Sequence, residues 1–311
     1  MATGISLIIP FLNEGESIYK CCEELEHFKT KLNFPLEVVF VDDGSTDNTS
    51  NFIKEFNFKN LEIVKLISLS KNFGAHAAIR AGILNSAYEV CTWIGSDLQE
   101  PLEFIAEGYK KIAEGFDAVY IAKESIDVAL ISRVFSKCYS ALIKLFVIHN
   151  YDACGVNNII FNKKVKDYIN THIEVNSSLM LQIIDAGFKN MILRLPFKSR
   201  DIGKSKWTLS KKLKLFTDTF VVFSHAPLRF VSLTGFILFF AGTLYAIYII
   251  ANKILNPENS MLGYASLASI LAIGFGITNI SLGIIAEYLW RTFDAARQRQ
   301  AFIVSEISKV R

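Results

Sequence analysis

Between residue 5 and about residue 125, short apolar runs alternate with longer amphipathic stretches. The apolar runs predict five β-strands: Ile5–Ile9, Glu37–Val41, Ile63–Leu69, Val90–Ile94 and Ala118–Ile121. Three of the intervening stretches have the length and periodicity of crossover helices: Glu16–Leu32, Thr49–Phe56 and His76–Ala87. This alternation is typical of an α/β, doubly wound and mostly parallel sheet. Ligands of such sheets bind at the carboxyl ends of the strands.

Two later stretches, Phe230–Ala251 and Leu262–Leu289, are nearly free of charge, and each is long enough to cross about 30 Å of hydrocarbon as a helix. A buried core hairpin is the alternative. Basic residues flank the pair on both outer sides: Lys204, Lys206, Lys211, Lys212, Lys214 and Arg229 before it, and Arg291, Arg297, Arg299, Lys309 and Arg311 after it. The positive-inside rule then places both long ends in the cytoplasm.

Two further segments, 132–149 and 208–226, combine lysines or arginines with a dominant apolar face. Such a pattern favours helices that lie in the headgroup layer of a membrane. A helix that packs its apolar face on the globular domain would have the same pattern. The predicted organisation is a cytoplasmic catalytic domain over 1–228, two transmembrane helices over 229–290 and a cytoplasmic tail over 291–311.

The composition agrees with an integral membrane protein. The hydrophobic fraction is 51% and the mean hydropathy is +0.31. A net charge of only +3 gives no reason to expect nucleic-acid binding. The five cysteines form no CxxC pair and are odd in number, which favours reduced, packed thiols. The strand-like run at the amino terminus leaves no room for a signal peptide, so we expect the catalytic part to be cytoplasmic.

Acidic and polar residues follow the predicted strands. In VVFVDDGSTDNT, Asp42, Asp43 and Asp47 occupy a turn after the second strand, where carboxylates can accept hydrogen bonds from a nucleotide base or ribose. The same residues are also typical of an ordinary turn that precedes a helix. The first strand ends in IPFLNEGE, which brings Pro10, Asn13 and Glu14 to the same edge.

A second cluster, WIGSDLQEP, follows the fourth strand. Extended backbone would aim the side chains of Asp97 and Gln99 in one direction. Two such oxygen ligands suit Mg²⁺ or Mn²⁺ bridging a diphosphate, although an ordinary loop acid is the simpler interpretation of the motif alone. A third cluster, FKSRDIGKSKW, places Arg200 and Lys206 where a lipid phosphate would emerge from a membrane. Ordinary positive charge beside a membrane span is the alternative explanation of this cluster.

Together these motifs resemble family 2 glycosyltransferases, in the branch of dolichol-phosphate mannose synthases and bacterial polyprenyl-phosphate glycosyltransferases of the O-antigen glucosylation type. The resemblance runs essentially end to end, through IPFLNE, VDDGSTDNT, LSKNFG, SDLQEP, GKSKW and SLGIIAEYLWR. It implies a GT-A catalytic domain, inverting transfer, a nucleotide-diphosphate sugar donor, a polyprenyl phosphate acceptor and Mg²⁺ or Mn²⁺. It also implies the bacterial plasma membrane and self-association through the anchor.

The resemblance assigns residue roles as well. The nucleotide pocket would be lined by Pro10, Asn13, Glu14, Asp42, Asp43, Lys71 and Ser96. Asp97 and Gln99 would hold the metal, and Arg200 with Lys206 would contact phosphates.

Two residues depart from the family pattern. Gly95 replaces the first acid of the usual D-x-D, and Asn157 stands where relatives carry a proposed base. A phosphate acceptor, with a second pKa of about 6, is already an anion near neutral pH and needs alignment more than deprotonation.

The sequence therefore predicts a membrane-anchored transferase that places a sugar on a polyprenyl phosphate. One alternative is a transferase for another membrane glycolipid. The other is a catalytically weakened relative that binds nucleotide sugar or partners at the membrane.

Overall fold

The computed structural model describes residues 4–98, 100–123, 156–173, 178–196, 226–255, 264–297 and 300–311. The chain divides into two compact units. The first contains residues 1–211 and 300–311, and the second contains residues 212–299.

The first unit is built on one mixed sheet. Its strands, in chain order, are β1 (Ile5–Phe11), β2 (Leu36–Asp42), β3 (Ile63–Leu69), β4 (Val90–Trp93), β5 (Ala118–Lys123), β6 (Val156–Phe161), β7 (Asn190–Leu195) and β8 (Val304–Lys309). They lie in the order β7-β5-β6-β4-β1-β2-β3-β8. β6 and β8 run antiparallel to their neighbours, and the other pairings are parallel. The expected α/β, mostly parallel architecture is confirmed.

Six helices belong to this unit among the described residues: α1 (Ser17–Lys29), α2 (Thr49–Glu55), α3 (Ala75–Leu84), α4 (Glu103–Ala113), α5 (Lys163–Thr171) and α6 (Leu179–Asp185). The five strands and three helices predicted from the sequence are all present, with ends that differ by up to three residues. Strands β6, β7 and β8 were not predicted.

The core lies on both faces of the sheet. Every residue of β2 is buried, as expected for a central strand covered by helices on both sides. Val38 and Phe40 face one apolar cluster, whereas Val39 and Val41 face the other. The hydrophobic run VVFV therefore feeds two cores by simple alternation.

α3 approaches the sheet closely at Gly82. A Cβ atom added there would lie 2.4 Å from Ile8 Cγ2 and 3.1 Å from Val41 Cγ2. The glycine thus lets the helix pack directly on β1 and β2, and it holds the loop before α3 near the strand ends.

A buried polar network lies at the opposite end of the central strands. Glu37 is fully buried and forms an ion pair with Lys65, with 2.8 Å between Nζ and Oε1. Its other oxygen accepts hydrogen bonds from the Ser6 hydroxyl and from the Ala87 amide. The network fixes the amino ends of β1, β2 and β3, far from the carboxyl ends.

The carboxyl terminus corrects one expectation. We predicted a tail over 291–311, but Val304–Lys309 forms β8, which pairs antiparallel with β3 at the edge of the sheet. Residues 300–311 therefore belong to the same unit as the mixed sheet.

The second unit contains α7 (Ala226–Leu255, 30 residues) and α8 (Tyr264–Ala296, 33 residues). Large apolar side chains on both helices are exposed, among them Phe236, Leu244, Phe275 and Ile280. Within the residues that the structure describes, none of the helices meets the length and apolarity required of a membrane span. The predicted interfacial segments lie outside the described residues, apart from Ala226, which begins α7.

Candidate active site

The candidate site lies where β1, β2, β3 and β4 end. These four strands are parallel, so their carboxyl ends share one edge of the sheet. Phe11 pairs with Asp42, and Asp42 pairs in turn with Ser68. The loops that follow the four strands carry most of the residues singled out in the sequence.

The loop after β1 is tied to the loop after β2. Asn13 has a φ of 51°, which is unusual for a residue other than glycine. Its side-chain oxygen accepts a hydrogen bond from the Thr46 backbone amide at 2.8 Å, and its backbone amide donates to Ser45 Oγ at 3.0 Å. The Glu14 and Gly15 amides both donate to Thr49 Oγ1. Asn13 and Glu14 are thus held beside the acidic turn, as expected from the sequence. Pro10 lies within β1, paired with Val41.

Asp47 fixes the start of α2. Its carboxylate accepts hydrogen bonds from the Thr49 hydroxyl at 2.6 Å and from the Thr49 amide at 3.0 Å, and one further bond comes from Gly15. Hydrogen bonding to Thr49 lowers the pKa of Asp47, so its charge is kept near neutral pH. Asp47 therefore organises the two loops.

Asp42 and Asp43 are both buried at this edge. Asp42 accepts from the Ser45 amide at 2.7 Å and from the Ser50 hydroxyl. Asp43 accepts from the amides of Phe73 and Gly74, at 2.8 and 3.0 Å. Burial raises the pKa of Asp43, and these two amide bonds oppose that effect. Asp43 thus joins the acidic turn to the loop after β3.

Gly44 brings these two loops into direct contact. Its φ is 80°, and an added Cβ would lie 2.6 Å from the carbonyl carbon of Lys71 and 2.7 Å from the amide nitrogen of Asn72. Both the conformation and the lack of space require glycine. The Lys71 side chain is exposed, with Nζ 5.2 Å from the centre of the Phe73 ring.

Asp97 lies in a turn after β4. We expected extended backbone from Asp97 to Gln99, but Leu98 has a φ of 46° and its amide donates to the Gly95 carbonyl at 3.1 Å. Extended geometry therefore does not aim the two side chains, and that part of the prediction is wrong. Asp97 is exposed, and an added Cβ on Gly95 would lie 2.9 Å from its Oδ1. The carboxylate of Asp97 thus leans over Gly95, with Ser96 half-buried between them.

The loops after β1 and β4 each carry a carboxylate whose charge acts on the Cys21 thiol. Burial raises the pKa of the Cys21 thiol on α1, and nearby charges, including the carboxylates of Glu14 and Asp97, raise it further. Both acids therefore lie within electrostatic range of one buried thiol.

The start of β6 lies at the same edge, because β6 runs antiparallel to β4 with Thr92 opposite Ile160. The backbone of Asn157 is part of this strand, although its side chain lies outside the description. Its neighbour Asn158 is buried, donates to the Trp93 carbonyl and accepts from the Ile159 amide. Sequence reasoning missed Asn158, whose signal was a polar residue inside an apolar strand.

Other predicted site residues lie outside the described part of the chain, namely Gln99, Arg200 and Lys206. Within the described ranges, no group of three or more His, Cys, Asp or Glu side chains could hold a metal ion. The predicted Asp97 and Gln99 pair is not such a group, and it stays a prediction.

Two protein-family models match this chain. Residues 6–180 match the family model of glycosyl transferase family 2, and residues 226–291 match the GtrB C-terminal hairpin. The chain belongs to glycosyltransferase family 2 and is a glycosyltransferase. The resemblance inferred from its motifs is confirmed.

Several relatives match nearly the whole chain. A putative glycosyltransferase, CsbB, of Bacillus subtilis is 31% identical over 97% of this chain and 91% of its own length. An undecaprenyl-phosphate 4-deoxy-4-formamido-L-arabinose transferase of Serratia proteamaculans is 26% identical over 97% and 93%. Among solved structures, the mannosyltransferase PcManGT of Pyrobaculum calidifontis, in complex with GDP-Man and Mn²⁺, has a TM-score of 0.46 and 14% identity, covering 93% of this chain and 87% of its own.

Proposed function

We propose that this enzyme transfers a sugar from a nucleotide-diphosphate sugar to a polyprenyl phosphate at the cytoplasmic face of the membrane. One observation carries the proposal. The loops after β1, β2, β3 and β4 bring Asn13, Asp43 and Asp97 to one edge of the sheet, in a chain that also carries a GtrB-type hairpin. Relatives matching almost its full length include undecaprenyl-phosphate sugar transferases.

The acidic turn and the loop after β3 would bind the nucleotide. Asp42 and Asp43 already accept backbone and hydroxyl hydrogen bonds, but each carboxylate has about four lone-pair positions. Remaining positions can accept from a base N–H or a ribose hydroxyl. The Lys71 ammonium, exposed beside this turn, has the charge to approach a phosphate.

Asp97, with Gln99, would bind Mg²⁺ or Mn²⁺. The exposed carboxylate of Asp97 is an oxygen ligand of the kind these hard cations prefer. When bound, such an ion neutralises charge on the departing diphosphate.

In the transfer, an oxygen of the lipid phosphate attacks the anomeric carbon and forms the new C–O bond. The bond from that carbon to the nucleoside diphosphate breaks, and the diphosphate leaves with the electron pair, so the anomeric configuration inverts. The nucleophile is already an anion, which makes an acid at position 157 unnecessary. Arg200 and Lys206 would align the lipid phosphate, and Asn157 would lie beside it.

The helix pair would hold the enzyme at the bilayer. The helices expose large apolar side chains, such as Leu244 at 68% and Phe275 at 67%. The free energy of exposing apolar surface is unfavourable in water and is largely relieved in lipid. The chain enters α7 after β7 and returns to the same sheet as β8.

The proposal is tested with the purified full-length enzyme in lipid nanodiscs containing undecaprenyl phosphate, offered a panel of UDP and GDP sugars with Mn²⁺. Mass spectrometry of the organic extract should find one glycosylated lipid. Asp97→Asn should abolish its formation. The matched control is Asp167→Asn, which changes an exposed acid of α5 paired with Lys163 and should leave transfer unchanged.

Three results would contradict the proposal. Full transfer by Asp97→Asn would remove Asp97 from the reaction. Nucleotide-sugar binding by the wild type without any lipid product would favour the catalytically weakened alternative. Release of the wild-type chain from membranes by alkaline carbonate would contradict the helical anchor.

A further inference from the structure

The segment that follows α8 is fastened to the end of β3. Val304 pairs with Leu69, and the Ser70 amide donates to the Ile303 carbonyl at 2.9 Å. The Ser305 hydroxyl donates to the Ser68 carbonyl, also at 2.9 Å. The last residues of β3 are thus held from one side by residues that lie more than 230 positions later in the chain.

The residues held in this way lead directly into the wall of the candidate site. After Ser70, the backbone of Lys71 and Asn72 lies against Gly44, with no room for a methyl group between them. The next two amides, from Phe73 and Gly74, bind the carboxylate of Asp43. A shift of Ser70 would therefore be transmitted to both contacts between the loop and the acidic turn.

Side chains of the C-terminal segment add a second connection. Phe302 and Val304 are partly buried and pack against the apolar cluster that contains Ile67 and Leu69. Phe73, from the loop itself, packs against the same cluster. Ile303 points the other way and is 50% exposed.

We propose that residues 300–304 are a positioning element for the donor nucleotide: Phe302 and Val304, with the Ile303 carbonyl, hold the loop 70–74 in the conformation that binds it. The identity of this ligand rests on the proposed function. These residues touch the loop and not the nucleotide, so they act by pre-organising residues that do. The segment begins four residues beyond Ala296, the last residue of α8.

Phe302→Ala and Ile303→Ala in the full-length enzyme form a matched pair, because each removes a large apolar side chain and only the first loses buried contacts. Binding of UDP and of GDP, each with Mn²⁺, is measured by calorimetry. Phe302→Ala should weaken nucleotide binding about tenfold and raise the KM for the sugar nucleotide, with the KM for lipid unchanged. Ile303→Ala retains the backbone carbonyl that accepts from Ser70 and removes only a half-exposed side chain, so it should bind nucleotide as the wild type does. Phe302→Leu should recover most of the loss.

Hydrogen exchange gives a readout that does not need a nucleotide. The amides of Phe73 and Gly74, bonded to Asp43, should exchange faster in Phe302→Ala than in Ile303→Ala. If Phe302→Ala does not fold, Val304→Ala takes its place. Wild-type nucleotide affinity in a Phe302→Ala enzyme of lowered melting temperature would overturn the inference.

The failure of the two proposals can be told apart. A wild-type enzyme that binds neither nucleotide refutes the proposed function. Equal exchange of the Phe73 and Gly74 amides in the matched pair refutes the positioning role, whatever the ligand is.

Discussion

Gly44→Ala tests whether the acidic turn and the loop after β3 depend on one another. The substitution forces alanine into a φ of 80°, where a Cβ costs about 1–2 kcal/mol. It also places the methyl group 2.6 Å from the Lys71 carbonyl carbon. The neighbouring atom belongs to the backbone, so it cannot move aside as the end of a flexible side chain could. Overpacking of this kind costs about a further 1–3 kcal/mol. The expected loss in the free energy of unfolding is about 2–5 kcal/mol in total.

A matched substitution separates the two costs. Gly187 has a φ of 69° and nothing within 4 Å of an added Cβ. Gly187→Ala therefore carries the conformational cost of about 1–2 kcal/mol without the close contact. The gain from a less flexible unfolded chain is common to both variants and cancels in the difference. Gly44→Ala should be the less stable of the two by about 1–3 kcal/mol.

Urea unfolding followed by the fluorescence of the protein measures both variants, and calorimetry with UDP or GDP measures nucleotide binding. Gly44→Ala should also bind nucleotide more weakly, because its methyl group pushes Lys71 and Asn72 away from the turn that carries Asp43. Gly187→Ala should bind normally. Equal unfolding free energies for the two variants would refute the reasoning, since the contact with Lys71 would then cost nothing.

Three other predictions concern separate parts of the first unit. Glu37→Ala should lower the free energy of unfolding by about 3 kcal/mol in urea titrations, because it leaves the Lys65 ammonium and the Ala87 amide without their buried partner; Glu306→Ala, at an exposed pair, should cause no measurable change. Gly95→Ala should slow sugar transfer with little loss of stability, since its methyl group displaces only the exposed carboxylate of Asp97; an unchanged rate would show that the position of this carboxylate is unimportant. Burial raises the pKa of the Cys22 thiol from its usual 9.0 to about 12, so it should resist alkylation at pH 8 until the protein is unfolded. Because the folded pKa is the higher one, this stabilising contribution is complete below pH 9 and is lost between about pH 9 and 12, which the urea midpoint of wild type against Cys22→Ala would show.

The parallel half of the sheet could be predicted because its signals are local. Each of β1 to β5 is an apolar run bounded by turn residues, and β2 reads as the continuous hydrophobic run of a strand covered on both faces. The neighbouring turns are equally local, so the sequence also located Asn13, Asp42 and Asp43. Their placement at one edge follows from parallel pairing alone.

The remaining strands gave weaker signals. β6 reads VNNIIF and β8 reads VSEISK, and both contain polar residues that obscure the strand pattern. β8 pairs with β3 from the far end of the chain, and no local pattern specifies such a partner. Asn158 was also overlooked, because its side-chain amide donates to the Trp93 carbonyl of the neighbouring strand β4 and no local pattern specifies that partner.

Gly95 shows how a motif comparison and a structure can describe one residue differently. In the motif comparison, Gly95 occupies the position of the first acid of D-x-D, so this acid is missing. In the structure, the space that a side chain at position 95 would enter is already occupied by Oδ1 of Asp97, 2.9 Å from the added Cβ. Gly95→Asp therefore adds a negative charge and displaces the existing carboxylate in the same step. The two positions are coupled, and the effect of restoring the acid can be interpreted only from a double-mutant cycle with Asp97→Asn.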